Sequence, residues 1–271
     1  MLALAIPLGL LVGLALGALG GGGSILTVPA LVYGLDQDPH VATTSSLVIV
    51  GTTSLVALVP HARGGRVRVG QGLLFGALGT GGALAGSALA ANVDPDVLLT
   101  AFAGLMALVA VLMLRRSRVA DGGSAPASDL TLEPMLTLHP LRCACPRVVR
   151  LVVAASAVGL LTGFFGVGGG FVLVPALVLA LGFPMPVAVG TSLLVIAVNS
   201  ATALAARVGP VAAIDLDWAL IAAFTAAAVT GSLVGGRLAS RVDPRTLTRA
   251  FGVLLLAVAA YSAVRSAPTL F

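Results

Sequence analysis

The chain has 271 residues, of which 58% are hydrophobic and only 9% are charged, and its mean hydropathy is +1.10. Soluble domains carry roughly 25% charged residues, so this composition excludes a water-soluble globular fold. The net charge of +5 comes from arginines that cluster at the ends of apolar segments, which indicates contact with a membrane surface rather than with nucleic acid.

Apolar stretches follow one another along the chain. The first covers residues 2–34 and contains a run of glycines at residues 20–23. Three shorter stretches and a polar segment come next, and a second glycine-containing stretch begins at residue 149. The shorter stretches each approach the ~20 residues that cross a bilayer as a helix, and they lack the alternation of barrel strands. They lie at residues 41–60, 70–91, 97–114, 187–206, 216–236 and 246–264.

The two halves of the chain repeat one pattern at a constant spacing of 146 residues, as between Pro29 and Pro175. Without a gap, residues 13–58 and 159–204 are identical at 19 of 46 positions. A small shift aligns the later parts as well. We therefore predict a first transmembrane repeat at 1–114, a cytoplasmic polar linker at 115–147 and a second repeat at 148–271.

Equivalent loops of the two halves carry opposite charge. In the first half the loop after the second stretch is basic and the next loop, 92–96, has no basic residue, whereas the second half reverses this order. Because basic loops stay cytoplasmic, the reversal predicts inverted insertion and an odd number of crossings in each half. The arginines concerned are Arg63, Arg66 and Arg68 in the first half, and Arg237, Arg241, Arg245 and Arg249 in the second.

An odd number of crossings requires that each glycine-containing stretch is not a single transmembrane span. A continuous helix over residues 2–34 would be about 50 Å long, which exceeds a ~30 Å hydrocarbon core. We predict an all-α polytopic integral membrane protein built from two inverted repeats, each a glycine-broken (re-entrant or discontinuous) helix pair plus three transmembrane helices. Re-entrant hairpins give six spans and are preferred, and single crossings giving eight spans are the alternative.

The glycine breaks are the predicted binding site. Consecutive glycines allow their N–H groups to converge, and the following helix adds the positive end of its dipole, which together hold an anion without a basic side chain. The predicted donors are the N–H groups of Gly22, Gly23, Gly168, Gly169 and Gly170, and Ser24 is expected to cap its helix. Other glycines have the spacing of helix packing, and we assign that role to Gly13, Gly17, Gly20, Gly72, Gly76, Gly79, Gly82 and Gly86.

Polar residues recur beside the breaks in both halves. Hydroxyl and amide groups can donate to an oxyanion, although in membrane helices they more often bond back to their own helix. As a symmetric set, Ser45, Ser46, Thr191, Ser192 and Asn199 are predicted substrate ligands.

Ionisable residues are predicted only at the ends of the spans, where His40 and His61 are expected to be solvated. The chain has no lysine and therefore no phosphate-binding loop for ATP. No carboxylate pair, activated nucleophile or complete set of metal ligands lies in the spans, so we predict no catalytic residue, metal or cofactor, and not an enzyme.

Two motifs carry a resemblance to a known family. Residues 166–178 are GVGGGFVLVPALV and residues 187–195 are VAVGTSLLV, and the first half repeats them as GGGGSILTVPALV and VATTSSLVI. The chain resembles the TauE/SafE family of sulfite exporters and related permeases over nearly its whole length apart from the linker. The first half departs from the pattern at Ser24, Thr44 and Ser45, where the second half has Gly170, Gly190 and Thr191.

The resemblance implies a multi-pass transporter of the bacterial inner membrane for small anions such as sulfite, sulfonates or related organosulfur anions. The predicted partners are this anion, membrane lipid and a second copy of the chain in a homodimer, with no nucleic acid. A channel-like anion permease and a non-transporting membrane scaffold or assembly subunit are the alternatives.

Overall fold

The computed structural model describes residues 2–90, 93, 95–119, 145–165, 170–205 and 216–266, and within them it is helical with short connections. The first half contains α1 (Leu2–Leu19), α2 (Gly22–Pro29), α3 (Pro39–Arg63), α4 (Val69–Ala90) and α5 (Pro95–Val119). The second half contains α6 (Cys145–Phe165), α7 (Gly170–Leu179), α8 (Met185–Ala205), α9 (Trp218–Ala239) and α10 (Pro244–Ser266).

Within the described residues, four helices are long and apolar enough to cross a membrane: α3 over Val41–Arg63, α4, α8 and α9. Large apolar side chains stay exposed on the helix faces, with Leu84 69% and Trp218 62% accessible. Exposing apolar surface to water costs about 25 cal/mol per Å². The same surface has no such cost when it faces the apolar chains of a lipid bilayer. The all-helical, multi-pass class predicted from composition is confirmed.

The helices α1 and α2 fold back on each other. A Cβ on Gly23 would lie 2.5 Å from Cβ of Leu16, and one on Gly34 would lie 2.6 Å from Cδ1 of Leu8. From Gly23 in α2 to Gly34 in the turn that follows it, later residues therefore meet earlier residues of α1, so this segment runs antiparallel to α1 and the long first stretch is not one rod. Beyond Pro29 the chain continues as a π-helical turn, Ala30–Gly34, consistent with a residue that lacks a backbone donor.

The contacts between helices are the same when the two halves are exchanged. The helix α1 packs on α9, and its counterpart α6 packs on α4, which is the counterpart of α9. The pairs α3 with α8, α5 with α10, and α2 with α7 each join equivalent elements. The sequence repeat therefore corresponds to a repeat of tertiary contacts.

Close backbone contact at glycines joins α1 to α9. Gly13 and Gly17 of α1 lie directly against the backbone of Ala228 and Ser232 in α9, and the order of these contacts makes the two helices parallel. Small residues permit this approach, which maximises dispersion contact where lipid removes the hydrophobic driving force. The equivalent contacts of α6 with α4 place Gly159 against Gly79, Gly163 against Ala83, and both Gly82 and Gly86 against Leu160.

These contacts confirm the packing role predicted for the glycines of α1 and α4. Gly72 and Gly76 face α8, the former near Thr191 and Leu194 and the latter near Val195. Gly20 is the exception, because it lies after the last residue of α1 with a φ of +69° and forms the turn itself.

The two short helices occupy different environments. In α7 every side chain from Phe171 to Pro175 is buried, whereas α2 alternates between buried and partly exposed residues. The apolar core around α7 includes Phe171, Leu193 and Phe251, drawn from three helices.

The helix α5 continues to Val119 and α6 begins at Cys145, so both helices extend into residues 115–147, which were predicted to form the linker. Residues 120–144 lie outside the described part of the chain, so the cytoplasmic linker and the repeat boundaries stay predictions.

Candidate functional site

The first glycine break makes its sharpest turn at Gly20, where φ is +69°. This conformation is strained for residues with a Cβ, and glycine adopts it freely. A Cβ on Gly20 would lie 2.6 Å from Oγ of Ser192 and 3.2 Å from Cα of Val189. The break of the first half therefore lies directly against α8 of the second half.

The two breaks also touch each other. Gly21 lies against the carbonyl oxygen of Gly170, and a Cβ on Gly21 would be 3.0 Å from Cα of Phe171. Ser24 packs on Gly170, since a Cβ there would lie 3.0 Å from Cβ of Ser24 and closer still to its Oγ. Ser24 and Gly170 are equivalent positions of the repeat, so the contact joins a residue to its own counterpart.

The first turn of α2 has backbone donors that find no acceptor among the described residues. The first N–H groups of a helix have no intrahelical acceptor, and no backbone hydrogen bond found among the described residues uses the N–H of Gly22, Gly23 or Ser24. The hydroxyl of Ser24 donates to the carbonyl of Gly21 over 2.7 Å. The expectation that Ser24 caps the helix is wrong, because Ser24 lies inside α2, Gly21 is the N-cap residue and no side chain bonds at that cap.

The predicted glycines face different neighbours. Gly22 lies near a methyl group of Leu254 in α10, and Gly23 faces Val12 and Leu16 of its own hairpin. Gly170 lies at the contact between the breaks. Gly168 and Gly169 lie outside the described residues, so their predicted role as donors is untested.

The predicted polar ligands fall into two groups. Ser192 lies at the junction of the breaks, with its hydroxyl donating to the carbonyl of Val189 over 2.8 Å. Thr191 and Asn199 lie along α4 instead: Oγ1 of Thr191 accepts from the backbone N–H of Arg68 at 3.2 Å, and Oδ1 of Asn199 is 3.5 Å from the Cβ position of Gly76.

Two predicted ligands of the polar set retain unused capacity. Oγ of Ser45 and Oδ1 of Asn199 are buried and have no hydrogen-bond partner among the described residues. Oγ of Ser46 instead donates to the carbonyl of Thr43 over 2.7 Å. Because an unpaired buried polar group costs about 1–3 kcal/mol, Ser45 and Asn199 are the better candidates for contact with a solute.

His61 was missed by the sequence reasoning. It was expected to be solvated at the end of α3, yet only 4% of its surface is accessible. The prediction is wrong because residues from α8 and α9 cover it: its Cβ is 3.2 Å from the Cβ position of Gly190, and its Nε2 is 3.8 Å from that of Gly236. A histidine beside an arginine-rich loop carries no local sign of such burial. No group of three or more potential metal ligands occurs among the described residues.

The repeated helices, the lipid-compatible surface and the contact between the two glycine breaks define a multi-pass helical membrane protein. The family model for the sulfite exporter TauE/SafE matches residues 5–262. The chain belongs to this family, which confirms the resemblance found in its motifs, and it is accordingly a multi-pass protein of a bacterial membrane.

Similar curated proteins carry the name probable membrane transporter protein. One from Xylella fastidiosa (strain 9a5c) is 37% identical over 94% of this chain and 92% of its own length. Another, YunE of Bacillus subtilis (strain 168), is 26% identical over 92% of this chain and 91% of its own length. No solved structure matches the chain.

Proposed function

We propose that this protein is a secondary-type transporter of small anions, and that the anion binds where the two glycine breaks meet. The contact of Gly21 with Gly170 carries the proposal, because it brings the start of one short helix to the start of the other. The unused N–H groups at the first turn of α2 supply donors, and helix N-termini favour negative charge.

The substrate class follows from the donors and from the family. Backbone N–H and hydroxyl groups bind oxyanions such as sulfite, a sulfonate or a related organosulfur anion without requiring a fixed positive charge. The family name refers to sulfite export, so sulfite is the first anion to test. The full proposed contact set is Gly22, Gly23, Ser24, Ser45, Ser46, Gly168, Gly169, Gly170, Thr191, Ser192 and Asn199.

Inverted repeats would let such a site open to alternate sides by motion of one half against the other. Contacts of Gly72 with Thr191 and of Gly76 with Val195 indicate that α4 and α8 run parallel. The loop 64–68 is short and returns the chain from α3 into α4, so α3 and its counterpart α8 run in opposite directions. This geometry, together with the antiparallel α1 and α2, supports inverted repeats with re-entrant hairpins, in which α5 and α10 also cross.

The anion site is tested by removing one N–H group. Proline is tolerated at the first helical position, and Gly21 lacks the Cβ that adds to the clash before proline. Gly22→Pro removes the backbone N–H of residue 22. Gly22→Ala keeps this N–H and adds a Cβ beside Leu254. A hydrogen bond to a charged group is worth about 1.5–3 kcal/mol, so we expect KM for sulfite in proteoliposomes to rise roughly tenfold or more in Gly22→Pro relative to Gly22→Ala.

Three outcomes would contradict parts of this proposal. Equal KM values for the two well-folded variants would remove the N–H of Gly22 from the site. Flux of the wild-type protein that never saturates and shows no counterflow would favour the channel-like permease. Absence of flux for sulfite, thiosulfate, taurine and simple carboxylates, with a co-purifying partner, would favour the scaffold.

The topology is tested by labelling single cysteines in a background without Cys143 and Cys145. Gly64 and Ser240 are both exposed in loops, and inverted repeats place both loops on the cytoplasmic side. We expect Gly64→Cys, Gly123→Cys and Ser240→Cys to react with an impermeant thiol reagent from the same side, and Thr269→Cys from the other. Labelling of Gly64→Cys and Ser240→Cys from opposite sides would support eight spans.

A further inference from the structure

The buried imidazole of His61 has a role that the junction of the breaks leaves unexplained. The side chain is 4% accessible, and neither Nδ1 nor Nε2 has a hydrogen-bond partner among the described residues. The carbonyl of Gly17 faces the ring without reaching hydrogen-bond geometry. A neutral imidazole has one hydrogen-bond donor and one acceptor, and buried polar groups normally have hydrogen-bond partners. This ring is therefore available to form a hydrogen bond with a solute.

Glycines surround the ring on two sides. A Cβ on Gly190 would lie 3.2 Å from Cβ of His61, and a Cβ on Gly236 would lie 3.8 Å from Nε2. These positions come from α8 and α9, and Gly17 comes from α1. Gly190 lets α8 approach His61 closely, whereas the Cβ position of Gly236 has no atom nearer than 3.7 Å, so room for a group the size of a methyl remains beside Nε2.

His61 lies between the junction of the breaks and a basic loop. The turn at Gly20 contacts Val189 of α8, and Gly190, the next residue of α8, contacts His61. On its other side is the loop 64–68, where the carbonyl of Arg66 packs against Gly190 and the backbone N–H of Arg66 donates to the carbonyl of His61 over 3.0 Å.

We propose that His61 is a second anion-binding position, on the path between the junction of the breaks and the arginine-containing loop. Its ring N–H donates to an oxygen of the passing oxyanion, and Arg66 supplies positive charge beside it. The equivalent position of the repeat in the second half is Arg207, which lies outside the described residues. This inference rests on the proposed anion transport and names an additional residue for it.

Three variants test the role. His61→Leu removes both nitrogens, and His61→Gln keeps an N–H donor at a similar reach. Thr53→Val is the control, because Thr53 is also buried on α3 with an unpartnered hydroxyl and takes part in none of the contacts described for the junction or for His61. Saturable sulfite uptake in proteoliposomes gives KM, and the shift in melting temperature caused by sulfite gives binding independently of transport.

We expect KM to rise about tenfold in His61→Leu and to stay within about threefold of the wild-type value in His61→Gln and Thr53→Val. The sulfite-induced shift in melting temperature should shrink in His61→Leu only. Unchanged KM and shift in His61→Leu would overturn this role while leaving the junction site intact. Equal loss of sulfite-free stability and of uptake in the leucine and glutamine variants would make His61 structural and also overturn it. If His61→Leu does not fold, His61→Ala replaces it, and a sulfite-induced shift in melting temperature equal to that of the wild type would overturn the role of His61. Absence of saturable flux in the wild-type protein would instead contradict the proposed function itself.

Discussion

Replacing Gly170 by serine is expected to destabilise the folded protein by about 1–3 kcal/mol, the usual cost of overpacking a filled interior. The new Cβ would lie 3.0 Å from Cβ of Ser24 and 3.1 Å from Cδ1 of Ile196, and it would approach Oγ of Ser24 still more closely. The isoleucine methyl group can move, whereas Ser24 is held by its hydrogen bond to the carbonyl of Gly21.

Exchanging the two residues should restore most of this loss. Ser24→Gly alone is expected to cost about 0.5–1 kcal/mol, since glycine is unfavourable in a helix. The double variant Ser24→Gly with Gly170→Ser removes both serine atoms that obstruct the new side chain, and it moves one hydroxyl from one break to the equivalent place in the other. Coupling between contacting residues is typically 0.5–3 kcal/mol, so the exchange should be more stable than Gly170→Ser alone.

Thermal unfolding in detergent, followed for all three variants, measures this coupling. Gly81→Ser is the matched control, because Gly81 is helical and nothing lies within 4 Å of its Cβ position. We expect little change there. Strictly additive losses in the double variant would show that Ser24 and Gly170 do not meet, and the site built on their contact would be lost.

Gly20→Ala is expected to cause a larger loss of transport than Gly65→Ala. Gly20 and Gly65 have nearly the same backbone conformation, with φ of +69° and +66°, and alanine in this region costs about 1–2 kcal/mol at either position. Nothing lies within 4 Å of the Cβ position of Gly65, whereas at Gly20 the backbone of Val189 is 3.2 Å away and Oγ of Ser192 is 2.6 Å away. Gly20→Ala should therefore cost about 1–3 kcal/mol more than Gly65→Ala, through overpacking.

The difference between these two alanine variants isolates the contact of the first break with α8. We expect Gly65→Ala to transport sulfite nearly as the wild type does, and Gly20→Ala to lose most transport because α8 must shift at the junction. Melting temperature and sulfite uptake are measured on the same reconstituted protein. An equal loss of stability in the two variants would mean that the turn does not press on α8.

Much of the site follows from residues whose chemistry acts locally. Adjacent glycines after an apolar stretch predict a turn, because few other residues adopt positive φ, and the return of α2 along α1 agrees with that prediction. The repeated spacing between Pro29 and Pro175 predicted two related halves, and the tertiary contacts repeat accordingly. The predicted site residues Ser24, Gly170 and Ser192, on α2, α7 and α8, lie around the turn at Gly20 and Gly21, while Thr191 and Asn199 lie along α4.

Which residues meet between helices depends on how each helix is rotated about its own axis. In an apolar helix the local sequence pattern does not specify this rotation. A glycine has no side chain whose polarity indicates its neighbour, so nothing in the run 20–23 distinguishes Gly21, which meets the other break, from Gly23, which faces its own hairpin. The same reason explains the wrong prediction for Ser24, because the first residue of α2 determines whether Ser24 is a cap or lies inside the helix.

Composition, the lengths of the apolar stretches and the internal repeat were enough to establish a multi-pass helical membrane protein with two glycine breaks, because lipid allows few ways to satisfy a backbone. Only the tertiary structure decided that the breaks touch at Gly21 and Gly170 and that His61 is buried rather than solvated. Both results arise where helices far apart in the chain converge. Contact there depends on the packing of small residues between helices rather than on any property that a single segment carries.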